Sequence, residues 1–393
     1  MSDPQAVIVG YSRTPIGRYL GGLSSLPATE LGSKAIIGAL AAAGVSADEV
    51  DHVIMGQVLQ AGAGQIPSRQ AAIGAGTPIE TTSETINKVC ASGHRAVTLA
   101  RLLIAAGDHN VVVAGGMESM SRAPHLLTTL RTGNKMGHEQ LLDCMISDGL
   151  TDPFRHVHMV VNGAEVAEEF GISRERQDEW SLRSHQRACE SQDWLAGEIT
   201  PIEIAGRKGS TVVAVDESPR ADTSLERLAA LKPIMKADGT ATAGNSPGVN
   251  DGAAALVVAS STWAADRGIE PLALVRAHAY VADESPYLAR APGRAIAKLL
   301  AATGLTIADI KRVEVNEAFA SVALNTIDMI GADPEIVNVH GGAVAMGHPI
   351  GASGARIIGT LVRQLRDYGG GLGIAAICSG GGQGDAVLIE VPA

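Results

Sequence analysis

Lys34-Ala-Ile-Ile-Gly-Ala-Leu-Ala-Ala-Ala-Gly44 reappears 260 residues later as Arg294-Ala-Ile-Ala-Lys-Leu-Leu-Ala-Ala-Thr-Gly304. Each reads as a helix closed by glycine. A short acidic turn follows in both, Ala47-Asp48-Glu49-Val50 and Ala308-Asp309-Ile310. Then comes a buried strand, Val53-Ile54-Met55 and Val313-Glu314-Val315, still at an offset of 260. Farther on, Ala91-Ser92-Gly93-His94-Arg95 matches Ala352-Ser353-Gly354-Ala355-Arg356 at an offset of 261. One match between Ala-rich helices carries little weight, but three in order at nearly constant spacing imply a duplicated chain. Strands alternating with helices in both halves predict an α/β fold of mainly parallel sheets covered by helices. Met120–Gly248 breaks the repeat and reads as an insertion, with a long helical pattern over Arg174–Ala196.

Composition narrows the function. The 393 residues carry 42 acidic and 31 basic side chains, a net charge of −11, which argues against a nucleic-acid partner, because such binding needs Lys and Arg to displace counterions. With only 3 Phe, 3 Trp and 5 Tyr, the core has to be built from Ala, Val, Ile and Leu, and 46 Gly allow close backbone packing. No uninterrupted apolar run approaches spanning length, so no membrane partner is expected. The amino terminus runs straight into Ala6-Val7-Ile8-Val9 without a leader-like pattern. Four widely separated cysteines, Cys90, Cys144, Cys189 and Cys378, predict reduced thiols and a cytoplasmic setting.

Four segments carry candidate chemistry. Cys90 lies where an apolar-flanked strand end runs into the small-residue helix start Ala91-Ser92-Gly93. Free amide groups and the helix dipole there favour thiolate, the nucleophilic form. His348, in Gly347-His348-Pro349-Ile350-Gly351, is the one titratable side chain among glycines, with no metal-ligand pattern around it, and is the candidate base. Cys378 precedes Ser379-Gly380-Gly381-Gly382 directly. That loop matches no phosphate-binding spacing and instead suggests an oxyanion hole of backbone amides. Asn316, opening Asn316-Glu317-Ala318-Phe319-Ala320 at a strand end, can polarise a carbonyl, orient a water or cap a helix.

On these residues, together with Arg13-Thr14-Pro15-Ile16-Gly17, Gly115-Gly116-Met117-Glu118-Ser119-Met120 and Ala243-Gly244-Asn245, the sequence resembles the thiolase family over essentially its whole length, most closely its acetyl-CoA acetyltransferase branch. The resemblance implies a duplicated five-layer αβαβα core. It divides the chain into an N-terminal half, 1–268, with an inserted coenzyme-A-binding loop domain at about 119–248, and a C-terminal half, 269–393. It implies reversible Claisen condensation of two acetyl-CoA molecules, with ping-pong kinetics. Cys90 matches the acyl-accepting nucleophile, His348 the residue that takes its proton, and Cys378 the second cysteine, which handles the α-proton. Asn316 would hold a water that forms one oxyanion hole with His348, and the amides of Cys90 and Gly380 would form the other.

Coenzyme A would be substrate and product, with no metal or organic cofactor, and the assembly would be a homodimer or homotetramer. The segment Met120–Gly137 resembles the one through which tetrameric members associate, and reads equally as a lid. Coenzyme A contacts are expected at His158, Arg220, Arg227, Ala243, Ser246 and Phe319, with Arg207-Lys208 as further phosphate candidates. Four departures bear on substrate choice: Ala91 follows the nucleophile where Gly is usual, Pro247 stands where many members have a pantetheine-binding serine, Arg227 replaces a small polar residue expected near the adenine, and Leu288-Ala289-Arg290-Ala291-Pro292 replaces a Met-Gly pair of the acyl pocket. Two alternatives stay open: a 3-ketoacyl-CoA thiolase acting on longer chains, and a non-catalytic acyl-CoA-binding protein of the same fold.

Overall fold

The computed structural model describes residues 5–206 and 209–392. In the first half the strands are β1 (Ala6–Arg13), β2 (His52–Gly56), β3 (Thr82–Ile86), β4 (Val111–Ser119) and β5 (Asn250–Ser260). The second half has β6 (Ala273–Ala282), β7 (Ile310–Val315), β8 (Gly371–Ser379) and β9 (Gln383–Val391). The helices that matter here are α1 (Ala28–Ala43), α2 (Ser92–Ala106), α3 (Met159–Glu169), α4 (Arg174–Glu190), α5 (Ala291–Thr303), α6 (Ala320–Ile330) and α7 (Ser353–Asp367).

The strand order repeats as the sequence does: β3-β2-β4-β5-β1 in the first half and β7-β8-β9-β6 in the second. Val337 forms a parallel bridge to Val313 of β7, in the place that β3 takes beside β2. The capping boxes repeat too, Ser46 with Glu49 and Thr306 with Asp309, each satisfying amides at the start of a short turn.

Alternate residues of each strand enter different cores. Ile54, Val112 and Ala114 pack inward with Ala96, Val97 and Ala100 of α2 and Ile357, Ile358 and Leu361 of α7, while Val53, Met55, Val111 and Val113 pack outward against Leu31, Ala35 and Ile36 of α1. In the second half Ala375, Ile377 and Val387 face the same central helices, and Ile374, Ala376 and Ala386 face α5 and α6. The layers therefore run α, β, α, β, α, and strands buried on both faces explain the nearly continuous apolar runs. The stretch Val89–Ala106 qualifies as a spanning helix by length and mean hydropathy, an exception to the sequence expectation, yet α2 lies in the central layer between the sheets.

The expectation of mainly parallel sheets is not met. β2 pairs parallel with β3 and β4, and β7 with β8, but β4–β5, β5–β1, β1–β6, β6–β9 and β8–β9 are antiparallel. In each half a return strand, β5 or β9, turns back beside its predecessor, and such a partner needs no crossover helix. The helix over Arg174–Ala196 is also interrupted: α4 ends at Glu190, Ser191 leaves helical geometry, and a short helix Gln192–Ala196 follows. Residues 120–249 lie between the neighbouring strands β4 and β5. They are tied to the core by buried Arg13, whose guanidinium donates to Glu198 Oε2 at 2.9 Å and to both carboxylate oxygens of Asp216 at 2.7 and 2.9 Å.

Candidate active site

β3 ends at Ile86 and α2 begins at Ser92, so Cys90 sits on a five-residue turn. Ser92 Oγ accepts from the Lys88 amide at 2.8 Å and donates to the Val89 carbonyl at 2.6 Å, and Asn87 Oδ1 accepts from the Val89 amide at 2.9 Å. These bonds hold Val89 at φ 45°, a left-handed conformation that a β-branched residue rarely takes. The sulfur of the next residue feels two backbone N–H groups, those of Gly380 and of Cys90 itself. Even so, burial pushes the Cys90 thiol up to about 12, against those two amides and with the help of Glu118. The thiolate expected from the helix start is thus not the resting form, because removal from water outweighs the partial charge of the helix end.

His348 is positioned by a glycine and an asparagine. Gly347 has φ 110°, and a Cβ there would lie 2.5 Å from the Asn250 side chain, whose Oδ1 accepts from the His348 amide at 2.9 Å. Ser353 Oγ donates to the Pro349 carbonyl at 3.0 Å and so accepts from His348 Nδ1–H at 2.6 Å. That bond assigns the ring proton to Nδ1 and leaves Nε2 as the acceptor nitrogen, facing the Asn316 side-chain amide. Burial, with Arg356 adding to it, brings the imidazole down to about 3, so it is neutral at physiological pH and Nε2 is unprotonated.

Asn316 follows β7, and its amide continues the ladder by donating to the Ala376 carbonyl at 2.9 Å. Its Nδ2 lies 3.4 Å from His348 Nε2, while its Oδ1 is buried with no protein partner, an acceptor directed at something other than the protein. Cys378 is the penultimate residue of β8 and fully buried. Burial first, then the neighbouring Cys90 sulfur, drives its thiol well above the usual range.

Cys90, His348 and Cys378 line one cavity of about 510 Å³ with Gly380. His158, Arg220, Ala243, Ser246 and Phe319 line it too. His158 also has a structural task, since its Nδ1 caps α3 by accepting from the Val160 amide at 3.2 Å. Ser246 Oγ is buried without a protein partner, so the hydroxyl remains available to a ligand. Arg227 is the exception: it lies outside the cavity lining, on the helix Leu225–Ala229, paired with Asp222. Its exposed turn holds a local counter-ion, which the sequence spacing alone does not reveal. Arg207-Lys208 fall outside the described residues. Among the described residues, no group of three or more His, Cys, Asp or Glu is arranged to hold a metal ion.

Two buried carboxylates of these motifs, outside the cavity lining, act as anchors. Glu118 accepts from the amides of Val58, Leu59 and Gly351 at 3.0, 3.2 and 3.0 Å, tying the His348 loop to the end of β4. Glu317 accepts from Trp180, Ser184, Asn338 and the Val344 amide at 2.8 to 3.0 Å, joining α4 to the Asn316 turn. Their position directly inside glycine- or asparagine-marked strand ends is the signal that a sequence offers for such anchors.

Comparison with known proteins agrees with this architecture. The family description "Thiolase, N-terminal domain" matches residues 6–262, and "Thiolase, C-terminal domain" matches residues 269–391. An acetyl-CoA acetyltransferase of Chromobacterium violaceum is 46% identical over 391 residues, covering 99% of this chain and 100% of that one. A cytosolic acetyl-CoA acetyltransferase of Mus musculus is 44% identical over 395 residues, covering 99% and 98%. The crystal structure of the Bacillus anthracis acetyl-CoA acetyltransferase superposes with a TM-score of 0.97 at 38% identity, covering 99% of each chain. Duplicated halves, five layers and full-length similarity agree: the chain belongs to the thiolase family.

Proposed function

We propose that the protein is an acetyl-CoA C-acetyltransferase, joining two acetyl-CoA molecules reversibly into acetoacetyl-CoA and coenzyme A through an acyl-Cys90 intermediate. The observation that carries this reading is one cavity lined by two thiols and a neutral imidazole. Relatives matched end to end are named for the same activity.

In the first half-reaction Cys90 Sγ attacks the thioester carbonyl carbon as its proton passes to His348 Nε2. The amides of Cys90 and Gly380, the two that reach the Cys90 sulfur, hold the developing oxyanion. The carbon–sulfur bond to coenzyme A breaks, and the leaving thiolate takes a proton from Cys378. This exchange converts two neutral residues into a thiolate at Cys378 and an imidazolium at His348, so their high and low resting pKa values persist only until acylation. In the second half-reaction the Cys378 thiolate removes the α-proton of a second acetyl-CoA. His348 Nε2–H and a water on the unpartnered Asn316 Oδ1 stabilise the enolate. The enolate carbon attacks the acyl-Cys90 carbonyl, the Cys90 thiolate leaves, and His348 returns its proton.

Coenzyme A enters through the inserted loop domain, about 119–248, within a division of the chain at 268/269. His158, Ala243, Ser246 and Phe319 contact the pantetheine arm, with the free Ser246 hydroxyl replacing the serine missing at Pro247. Arg220 meets the phosphates, and Arg227 stays with Asp222. A homodimer or homotetramer in the cytoplasm completes the reading. A second reading, thiolysis of longer 3-ketoacyl-CoA chains, draws on Leu288, Met120, Leu150 and Ile350, apolar walls of the same cavity.

Acetyl-CoA alone is expected to leave an acetyl group on the Cys90 peptide, read by mass spectrometry, and Cys90→Ala to abolish both the adduct and turnover. Absence of the adduct on the unmodified protein would leave only a binding protein of this fold. Thiolysis rates over a ladder of 3-ketoacyl-CoA lengths then separate the two substrate classes.

A further inference from the structure

Cys90 and Gly380 supply the two amides of one oxyanion hole from opposite halves of the chain, so something has to set their spacing. Two links cross between these loops. Ser379 Oγ donates to the Lys88 carbonyl at 2.7 Å, and Lys88 Nζ lies 2.5 Å from Asp385 Oδ1. The ion pair is well shielded, with the Lys88 side chain 19% and the Asp385 side chain 3% exposed. Lys88 is two residues before Cys90. Asp385 lies on β9, opposite Ile377 of β8 and Tyr280 of β6, with Cys378 and Gly384 paired next to it. The ammonium also sits 5.2 Å from the centre of the Tyr280 ring. It is thus held by a carboxylate and an aromatic face of the second half, while its backbone belongs to the nucleophile turn. Neither Lys88 nor Asp385 lines the reaction cavity.

We infer that Lys88 and Asp385 are positioning residues: their ion pair straps the Cys90 turn to the Cys378–Asp385 hairpin and fixes the distance between the Cys90 and Gly380 amides. The inference rests on the acyltransferase reading above. An oxyanion forms only in the transition state, so a loosened strap lowers kcat and leaves substrate affinity largely intact. A misplacement on the order of 1 Å in such a site costs up to about a hundredfold in rate.

The test uses the full-length protein and starts with acetylation of wild-type Cys90 by acetyl-CoA. Failure there sinks the catalytic reading and the strap with it. Given that adduct, Lys88→Met and Asp385→Asn are each expected to slow Cys90 acetylation and lower kcat by about ten- to a hundredfold, with KM for acetyl-CoA within about threefold. The double variant should be no slower than the worse single one, because both remove the same link. Lys88→Arg, which keeps the charge, should recover most of the rate. Wild-type kcat in stably folded single variants, additive losses in the double, or rates that merely track the folded fraction would overturn the proposal. If a single variant does not fold, Asp385→Glu, which lengthens the carboxylate arm of the pair, carries the test: a partial loss of kcat at constant KM supports the strap, and unchanged kcat rejects it.

Discussion

The same hairpin is built twice in this chain and closed in two different ways. In the second half β8 passes to β9 through Gly380-Gly381-Gly382, a turn tight enough to aim an amide at the Cys90 sulfur. In the first half the equivalent strands, β4 and β5, lie side by side in the same antiparallel pairing, but residues 120–249 are spliced between them. At the repeat offset of 260, Cys378 corresponds to Glu118 and Asn316 to Gly56. Both strand-end positions are buried, yet one half places a thiol there and the other a carboxylate that ties down backbone. Duplication thus supplied one frame, and the division of labour came from what stands at the strand ends and from how the hairpin is closed.

The strongest way to break this comparison is Cys378→Ala. It should slow acetylation of Cys90, whose leaving group loses its proposed proton donor, yet leave it detectable, while lowering carbon–carbon bond formation by at least about 10³-fold, since the group proposed to remove the α-proton is gone. Loss of both steps together, seen by mass spectrometry of the Cys90 peptide beside a condensation assay, would mean that the strand-end thiol is not specialised. Next in size is the tether of the open hairpin. Arg13→Met leaves Glu198 and Asp216 buried without their cation and should cost about 3 to 5 kcal/mol of stability in urea unfolding. A cost under about 1 kcal/mol would show that the insertion is held by packing alone. Smaller again is Gly382→Ala in the closed hairpin. Gly382 has φ 71°, and a Cβ would lie 2.6 Å from the carbonyl oxygens of Asp283 and Glu284, so about 2 kcal/mol or more is expected. Gly107, with φ 78° but nothing within 4 Å, should cost only about 1 kcal/mol as Ala and serves as the control.

The repeat was readable because helices, acidic turns and strands kept one spacing, and because Cys90, His348 and Cys378 each stand beside small residues that mark close backbone approach. Strand direction was not readable. The partner of β4 arrives only at Asn250, and the run Gly380–Gly382 signals an oxyanion loop as readily as a hairpin turn. The protonation state of Cys90 is not legible for a related reason: the helix start is visible in sequence, but the burial that outweighs it is a property of the assembled layers. Lys88 and Asp385 stand 297 residues apart and share no local pattern. Ion pairs of this kind become visible only when the two halves are folded together.

The finest test concerns pH and sets Glu118 of the first half against His348 of the second. Burial raises Glu118 from 4.5 to about 7 although three amides oppose it, so between those values the native state holds a proton that the unfolded chain has lost. Stability from this group therefore falls as pH rises through that window. Burial lowers His348 from 6.5 to about 3, so between those values the unfolded chain holds the extra proton, and stability falls as pH drops. Near pH 5.5 the two slopes have opposite signs and cancel. Removing one should expose the other: relative to wild type, Glu118→Gln should steepen acid destabilisation, and His348→Asn should relieve it, each by about 1.4 kcal/mol per pH unit. His185, His278 and His340, all held down to about 4 with burial as the main cause, add an acid-sensitive background that drops out of the difference from wild type. Urea unfolding at pH 7, 6 and 5 measures it. Parallel stability curves for both variants and wild type would show that neither strand-end carboxylate nor loop imidazole titrates differently in the folded chain, and the electrostatic contrast between the halves would be lost.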